Sequence, residues 1–355
     1  MIHNFNAGPS ILPKEVFEQA AEAILNFNNT GLSILEFGHR TPEFTAVMEE
    51  ARFLAKELMH LDDDHQVLFL HGGASTQFMQ IPMNLLDPKD CAAYADTGVW
   101  SSKAIKEAKL FGKVDVVCSS KEKNYSFIPK NFAVPNDAKY FHITTNNTIY
   151  GSQWKQIPNT SNIMVADMSS DILSRQLDFN SFGLIYAGAQ KNMGPAGVCM
   201  VVVNENILRK TKRAIPTIMD YLNHISEGSM LNTPPVFAVY VCLLTLRWLK
   251  SIGGVAAIEK KNIEKANLLY KEIDDNKLFY SQIEKEDRSN MNVCFRMKDE
   301  SLEKVFLEYA IKQGISGIKG HRLSGGFRAS LYNAMPLSSV QTLTDIMHQF
   351  ALTYG

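Results

Sequence analysis

The chain has 355 residues, 45% hydrophobic and 21% charged, a globular make-up with room for two domains that excludes a disordered or fibrous protein. Its 36 Lys and Arg nearly cancel 37 Asp and Glu, leaving a formal net charge of −1 and none of the basic excess a nucleic-acid surface needs. No apolar run reaches the ~20 residues of a spanning helix: Val198–Val203 is too short, and Leu243–Ile258 is broken by Arg247, Lys250 and two glycines.

The N-terminal segment MIHNFNAGPSILP has neither a basic n-region nor an apolar h-region. Five cysteines (Cys91, Cys118, Cys199, Cys242, Cys294) are dispersed in apolar surroundings without a C-x-x-C pair. They read as buried, reduced thiols, so the expected compartment is the cytoplasm, and the N-x-[ST] triplets at Asn28, Asn146 and Asn159 are chance matches. From about residue 15 short apolar runs alternate with longer amphipathic ones. Gln66–Leu70 ends in His-Gly-Gly, followed by a predicted helix over Ser75–Leu86. Ala92–Ala95 leads through Asp96-Thr97-Gly98 into a second helix over Trp100–Phe111. Val114–Cys118, Tyr140–Thr144, Ile163–Ala166, Leu184–Ala187 and Val198–Val203 are five more apolar runs rich in Val, Ile and aromatics. Runs of this kind interleaved with helices predict an α/β fold with a largely parallel sheet covered on both faces. Beyond Pro234 the texture changes. Helices are predicted at Val236–Ile252 and Val255–Asp274, strands near Asn292–Met297 and Phe327–Tyr332, and helices at Ser301–Gln313 and Leu337–Leu352. The predicted organisation is an arm over residues 1–14, a large domain over 15–255 and a smaller α+β domain over 256–355.

In such sheets ligands lie where strand C-termini feed loops and helix N-termini. Ile163–Gly197 is the most informative stretch: one strand ends at Asp167, and the next delivers Gln190 and Lys191 into a Gly/Pro loop. A lysine between two buried strands is poorly hydrated, which lowers its pKa and suits it to Schiff-base chemistry. An Asp beside it can keep a pyridinium nitrogen protonated, making that ring an electron sink. The same residues could also form a plain structural ion pair. His71–Gln77 (HGGASTQ) follows a strand and opens a helix, either as an anion site of backbone amides or as an ordinary turn capped by Ser75 or Thr76. Trp100 lies just past a strand end, as a stacking surface or as core. Asn146–Thr148 follow another strand at the same edge of the sheet. Two basic clusters, His39-Arg40 and His321-Arg322 with Arg328, are separate carboxylate or phosphate sites if they are not solvated surface charge. His60–His65 (HLDDDH) reads as a solvated helix end, and no metal ligand set is expected.

Nine segments carry a resemblance that spans nearly the whole chain: FNAGPS (Phe5–Ser10), GHR (Gly38–Arg40), HGGASTQF (His71–Phe78), ADTGVW (Ala95–Trp100), NNTIYG (Asn146–Gly151), VADMSSDILSR (Val165–Arg175), AGAQKNMGPAG (Ala187–Gly197), LNTPP (Leu231–Pro235) and GHR-x-x-GGFRAS (Gly320–Ser330). In these the chain resembles the class V aminotransferases, pyridoxal 5′-phosphate (PLP) enzymes of fold type I with a mostly parallel seven-stranded sheet and a smaller C-terminal domain, and among them the branch that works on O-phosphoserine. The resemblance implies transfer of an amino group between L-glutamate and 3-phosphohydroxypyruvate, serving serine and also pyridoxine synthesis. It implies Lys191 as the lysine joined to the cofactor and Asp167 at the pyridine nitrogen. Trp100 would stack on the ring and Thr148 would bond its polar edge. Ala74, Ser75 and Gln190 would hold the phosphate, with Asn232 and Thr233 reaching it from the second subunit of a homodimer. Arg328 would take the α-carboxylate, and His39, Arg40, His321 and Arg322 the phosphate or the glutamate side chain. Ala74-Ser75 stands where many bacterial relatives have Gly-Arg, one cation fewer in the phosphate cradle. A lyase on the same fold, such as a desulfurase, is the alternative, and it would need a reactive cysteine on a mobile loop. A serine hydrolase using Ser75 lacks the closing glycine of its elbow.

Overall fold

The computed structural model describes residues 1–355. In chain order its elements are β1 (His3–Asn4), α1 (Lys14–Asn26), α2 (Pro42–Leu58), β2 (His65–Leu70), α3 (Gly73–Leu85), β3 (Cys91–Asp96), α4 (Val99–Ala108), β4 (Lys113–Ser119), β5 (Tyr140–Thr144), β6 (Ile163–Asp167), β7 (Leu184–Gly188) and β8 (Cys199–Asn204). They continue with α5 (Tyr221–Ser226), α6 (Val236–Ser251), α7 (Gly254–Asp275), β9 (Phe279–Tyr280), β10 (Asn292–Met297), α8 (Glu303–Lys312), β11 (Ile315–Ser316), β12 (Phe327–Ser330) and α9 (Leu337–Tyr354).

Seven strands form one sheet in the order β2-β8-β7-β6-β5-β3-β4. All neighbours are parallel except at β8, which runs against both β2 and β7. The reason is local. Only Ala189–Val198 separate β7 from β8, too few residues for a crossover, so the chain turns back on itself. Continuous Val, Ile and Ala runs put most of the strands inside. The exception is β4, an edge strand exposed along much of one face. One face packs under α1, α2 and α6 through residues such as Phe44, Met48, Phe141, Ile185 and Leu243, and the other under α3 and α4 through Phe78, Ile81, Tyr94, Ile105 and Tyr186. Helix α6 is enclosed over Ala238–Leu246, where it is apolar but for Thr245, and turns polar at its end, where Arg247 and Lys250 reach the surface to pair with Glu50 and Glu57. No single helix is long and apolar enough to cross a membrane.

A second core gathers Leu269, Phe279, Phe295, Phe306, Phe327 and Phe350 around the antiparallel sheet β12-β10-β9. Phe5 belongs to this core, and β1 pairs in parallel with β11, so the chain's first residues pack against its last third. Helix α7 contributes Val255 and Ile258 to the first core and Leu269 and Ile273 to the second.

Several expectations shift. Helix α3 starts at Gly73 rather than Ser75, capped by Gly72 at φ 82°, so neither Ser75 nor Thr76 is the cap. Thr76 Oγ1 folds back to where a Cβ on residue 72 would lie, at 1.8 Å, which leaves glycine alone able to occupy the corner. His65 is buried rather than solvated, bonding Asp62 at 2.6 Å and the Phe182 carbonyl at 2.9 Å. Of the five cysteines, Cys91 and Cys118 are only half-buried, because they lie at the exposed β3–β4 edge of the sheet.

Candidate active site

The register of the parallel strands aligns Thr144, Asp167 and Tyr186 across β5, β6 and β7, so Asp167 ends its strand at the C-terminal rim of the sheet. Its carboxylate accepts a hydrogen bond of 2.9 Å from the Ser169 amide, while the Ser169 hydroxyl accepts one of 3.1 Å from Gly188 N–H. The turn is thereby tied to β7. Burial pushes the Asp167 carboxyl up from the usual range, and the charge of Lys191 and the bonds from Ser169 pull it back.

Lys191 stands on the tight connection between β7 and β8. Ala189 N–H bonds Val198 carbonyl at 3.0 Å to close the loop, and the Met193 and Gly194 amides both return to the Ala189 carbonyl. The N-terminal arm crosses this loop: Ser10 N–H bonds the Gln190 carbonyl at 3.0 Å, and Ser10 Oγ donates to the Lys191 carbonyl. Gly8 lies so close that a Cβ there would meet Lys191 Cγ at 3.2 Å. Only 9% of Lys191 is exposed. Its Nζ donates to Thr148 Oγ1 at 2.7 Å and lies 5.6 Å from the centroid of the Trp100 ring. Burial pulls its pKa down to about 8, with Asp167 opposing and Arg328 reinforcing the drop. Lys191 and Asp167 feel each other's charge, yet they form no ion pair within 4.0 Å. The simple structural pair is therefore not what these two residues make.

The other residues singled out in the sequence lie at the start of α4, on and before β12, around the start of α3, beside Lys191 and at the entrance to α2. Trp100, half-buried in the first turn of α4, has an indole Nε1 that is buried without a partner. Arg328, on β12, donates from NH1 to the Thr148 carbonyl at 3.3 Å, which brings the second core's strand onto the loop after β5, whose Thr148 hydroxyl accepts from Lys191 Nζ. His321 and Arg322 precede it, and the charges of Arg328 and Arg322 reach His321. At the start of α3, Ala74 is half-buried and Ser75 exposed, and Asn232 Nδ2 lies 3.4 Å from His71 Nδ1, with Thr233 exposed beside it. Gln190 is half-buried next to Lys191. His39 and Arg40 sit at the entrance to α2, the His39 Nε2 buried without a partner, and no hydrogen bond or ion pair joins them to Lys191 or Arg328.

The geometry also supplies contacts that sequence reasoning missed. Asn192 accepts from Asn333 N–H at 2.9 Å, pinning the Lys191 loop to the segment after β12. The Ser10–loop bonds span 181 residues, and only the spacing of the arm's glycine and proline hints at them. Lys103 lies over the Trp100 ring at 4.6 Å, one helical turn away, where an i, i+3 spacing could have found it.

The set fits a flat, anionic, aldehyde-bearing cofactor. A poorly hydrated amine without a salt bridge lies near a buried carboxylate, with an indole ring beside it, a hydroxyl accepting its hydrogen bond and helix amides uncapped by any side chain at the start of α3. All five thiols, by contrast, are held above their ordinary pKa by burial, Cys118, Cys242 and Cys294 at about 12.

Comparison with known proteins gives one consistent result. The family model "aminotransferase class-V" matches residues 2–343. The chain is 57% identical to the phosphoserine aminotransferase of Flavobacterium psychrophilum over 98% of both chains. A solved phosphoserine aminotransferase, studied for radiation damage of its Schiff base, superposes with a TM-score of 0.97 at 45% identity over 99% of each chain. The PLP-bound phosphoserine aminotransferase of Trichomonas vaginalis does so at 0.93 and 35% identity, over 98% of this chain and 100% of that one.

Proposed function

The chain belongs to the class V aminotransferase family, a PLP-dependent group, and from that premise we propose that it catalyses the reversible transfer of an amino group between L-glutamate and 3-phosphohydroxypyruvate, giving O-phospho-L-serine and 2-oxoglutarate. One observation carries the reading: a lysine of pKa about 8, paired with a threonine hydroxyl beside a tryptophan ring, faces a buried aspartate it does not touch. The phosphorylated keto acid of pyridoxine synthesis, with the same two anionic ends, is a second substrate of the same site.

PLP, when bound, supplies an aldehyde that exchanges with the substrate amine and a ring that draws electrons from the carbon bearing it. The rest falls to side chains. Lys191 Nζ, neutral at slightly alkaline pH, would take the proton from the substrate Cα and hold it for return. Asp167 holds a proton on the ring nitrogen through its charge, and the Ser169 amide fixes its orientation. Trp100 would stack on the ring, and Thr148 would bind its polar edge next to Lys191. The Ala74 and Ser75 amides, the helix dipole, Gln190, and Asn232 and Thr233 from a second copy hold the phosphate. Arg328, held by its bond to the Thr148 carbonyl, receives the α-carboxylate, while His39, Arg40, His321 and Arg322 take the far anionic end. Burial of the lysine excludes water, and one site serves both substrates in turn, which predicts ping-pong kinetics.

The proposal extends to organisation: an arm over residues 1–14, a large domain over 15–255, a small domain over 256–355, a homodimer, and a cytoplasmic location. A desulfurase is disfavoured because thiols this strongly protonated are poor nucleophiles. A serine hydrolase is disfavoured because Ser75 sits exposed in the first turn of α3 and its hydroxyl bonds to no histidine or carboxylate. The test is Lys191→Ala. Turnover should fall by at least ~10³-fold, the loss of a proton-transfer group and more. Borohydride should fix pyridoxyl to Lys191 in the unaltered chain, located by peptide mass, and to nothing in the variant. Pyridoxyl found on another lysine would refute the assignment.

A further inference from the structure

The rim of the site carries positive charge that nothing in the protein balances. Arg328 and Arg322 form no salt bridge, and the Arg328 Nε is buried without a partner. Lys103, on α4, belongs to the opposite core from these two arginines, yet its charge also reaches His321 across the seam. It too has no carboxylate within 4.0 Å. What holds it is the Trp100 ring, 4.6 Å from Nζ to centroid. Cations gathered from two sides of a cleft repel each other, and the arrangement gains only when an anion of more than one charge enters.

We propose that Lys103 is a specificity-determining residue: seated on the Trp100 ring, its ammonium helps bind the doubly charged phosphate end of the phosphorylated substrate, and contributes much less to the singly charged side-chain carboxylate of glutamate. The inference rests on the substrate pair assigned above and adds a cation from the large core to that recognition. A phosphate dianion gains about twice what a carboxylate gains from the same exposed charge, and the guanidinium of Arg328 already serves the α-carboxylate that both substrates share.

Two variants of the PLP-loaded enzyme separate this from a structural role. Lys103→Met keeps an unbranched stem on the ring and removes the charge, whereas Lys103→Arg keeps both. The Met variant should raise KM for O-phosphoserine about 3- to 10-fold, with kcat and the KM for glutamate each within about twofold, as one partly screened charge allows. The Arg variant should restore the KM, and added salt should erase the difference between wild type and Lys103→Met. The bound cofactor's absorbance should not change. Equal changes in both KM values, a shifted cofactor spectrum, or no change with O-phosphoserine would each overturn the inference. A wild-type enzyme that does not exchange amino groups between O-phosphoserine and 2-oxoglutarate would instead remove the substrate reading, and the inference with it.

Discussion

Lys191 is badly solvated, and in its proposed role that has a pH consequence. Burial disfavours the ammonium, so the amine is neutral above about 8 rather than above the ordinary 10.5. Only the neutral amine attacks an aldehyde. The rate at which the cofactor-free chain takes up PLP should therefore rise with pH and level off just above 8, whereas an exposed lysine would keep gaining to beyond 10. Arg328 adds positive charge that also disfavours the ammonium, so Arg328→Gln should move the midpoint upward, because the charged form then persists to higher pH. Stopped-flow absorbance across that range reads both. A midpoint unmoved by Arg328→Gln, or one near 10.5 in the unaltered chain, would contradict the burial argument. At this scale the sequence is informative about Lys191 and Asp167, because a charged residue just past an apolar strand has few places to go. It says little about Lys103, since an exposed lysine on a helix looks like any solvated charge until the ring beneath it is placed.

The elements themselves were legible in proportion to how local their causes are. Short apolar and aromatic runs mark β5 (YFHIT), β6 (IMVAD) and β7 (LIYAG) because strands buried on both faces hold few polar side chains. The reversed direction of β8 is set by partners on either side, and only the short Ala189–Val198 loop betrays it. The helix starts shifted by a residue or two where a glycine, rather than a hydroxyl, caps the turn, as at Gly72. The loop that carries Lys191 makes the clearest element-scale prediction. Gly194 faces α6 so closely that a Cβ would lie 2.6 Å from Cys242 Sγ. Gly194→Ala should cost about 1–3 kcal/mol by overpacking and loosen PLP retention by displacing the loop. Cys242→Ala, which removes the clashing sulfur, should recover part of both in the double variant, read as Tm and as cofactor lost on dialysis. Purely additive losses would place the strain elsewhere.

At the scale of the whole molecule the open matter is how many chains make a site. The lysine, aspartate, indole and arginine come together within one chain, but His39 and Arg40 bond to none of them, and Asn232 lies against His71 at the exposed start of α3. Helix α1 and the segment after it expose Phe17, Leu25 and Leu35, apolar surface of the kind that a second copy covers. A two-fold dimer that shares residues across its interface makes a quantitative prediction. Sedimentation should give twice the 39.8 kDa chain mass. In such a dimer Lys191→Ala would abolish a site through its own chain, and Asn232→Ala would weaken the phosphate hold in its partner's. When the two variants are unfolded together and reassembled, about half of the dimers are hybrids, each with one site that keeps both Lys191 and Asn232. Activity should then reach about a quarter of wild type plus a quarter of the Asn232→Ala enzyme's own activity, above the average of the two parents. If Asn232 served its own chain, every hybrid site would lack one of the two groups, and mixing would give only the average of the parents.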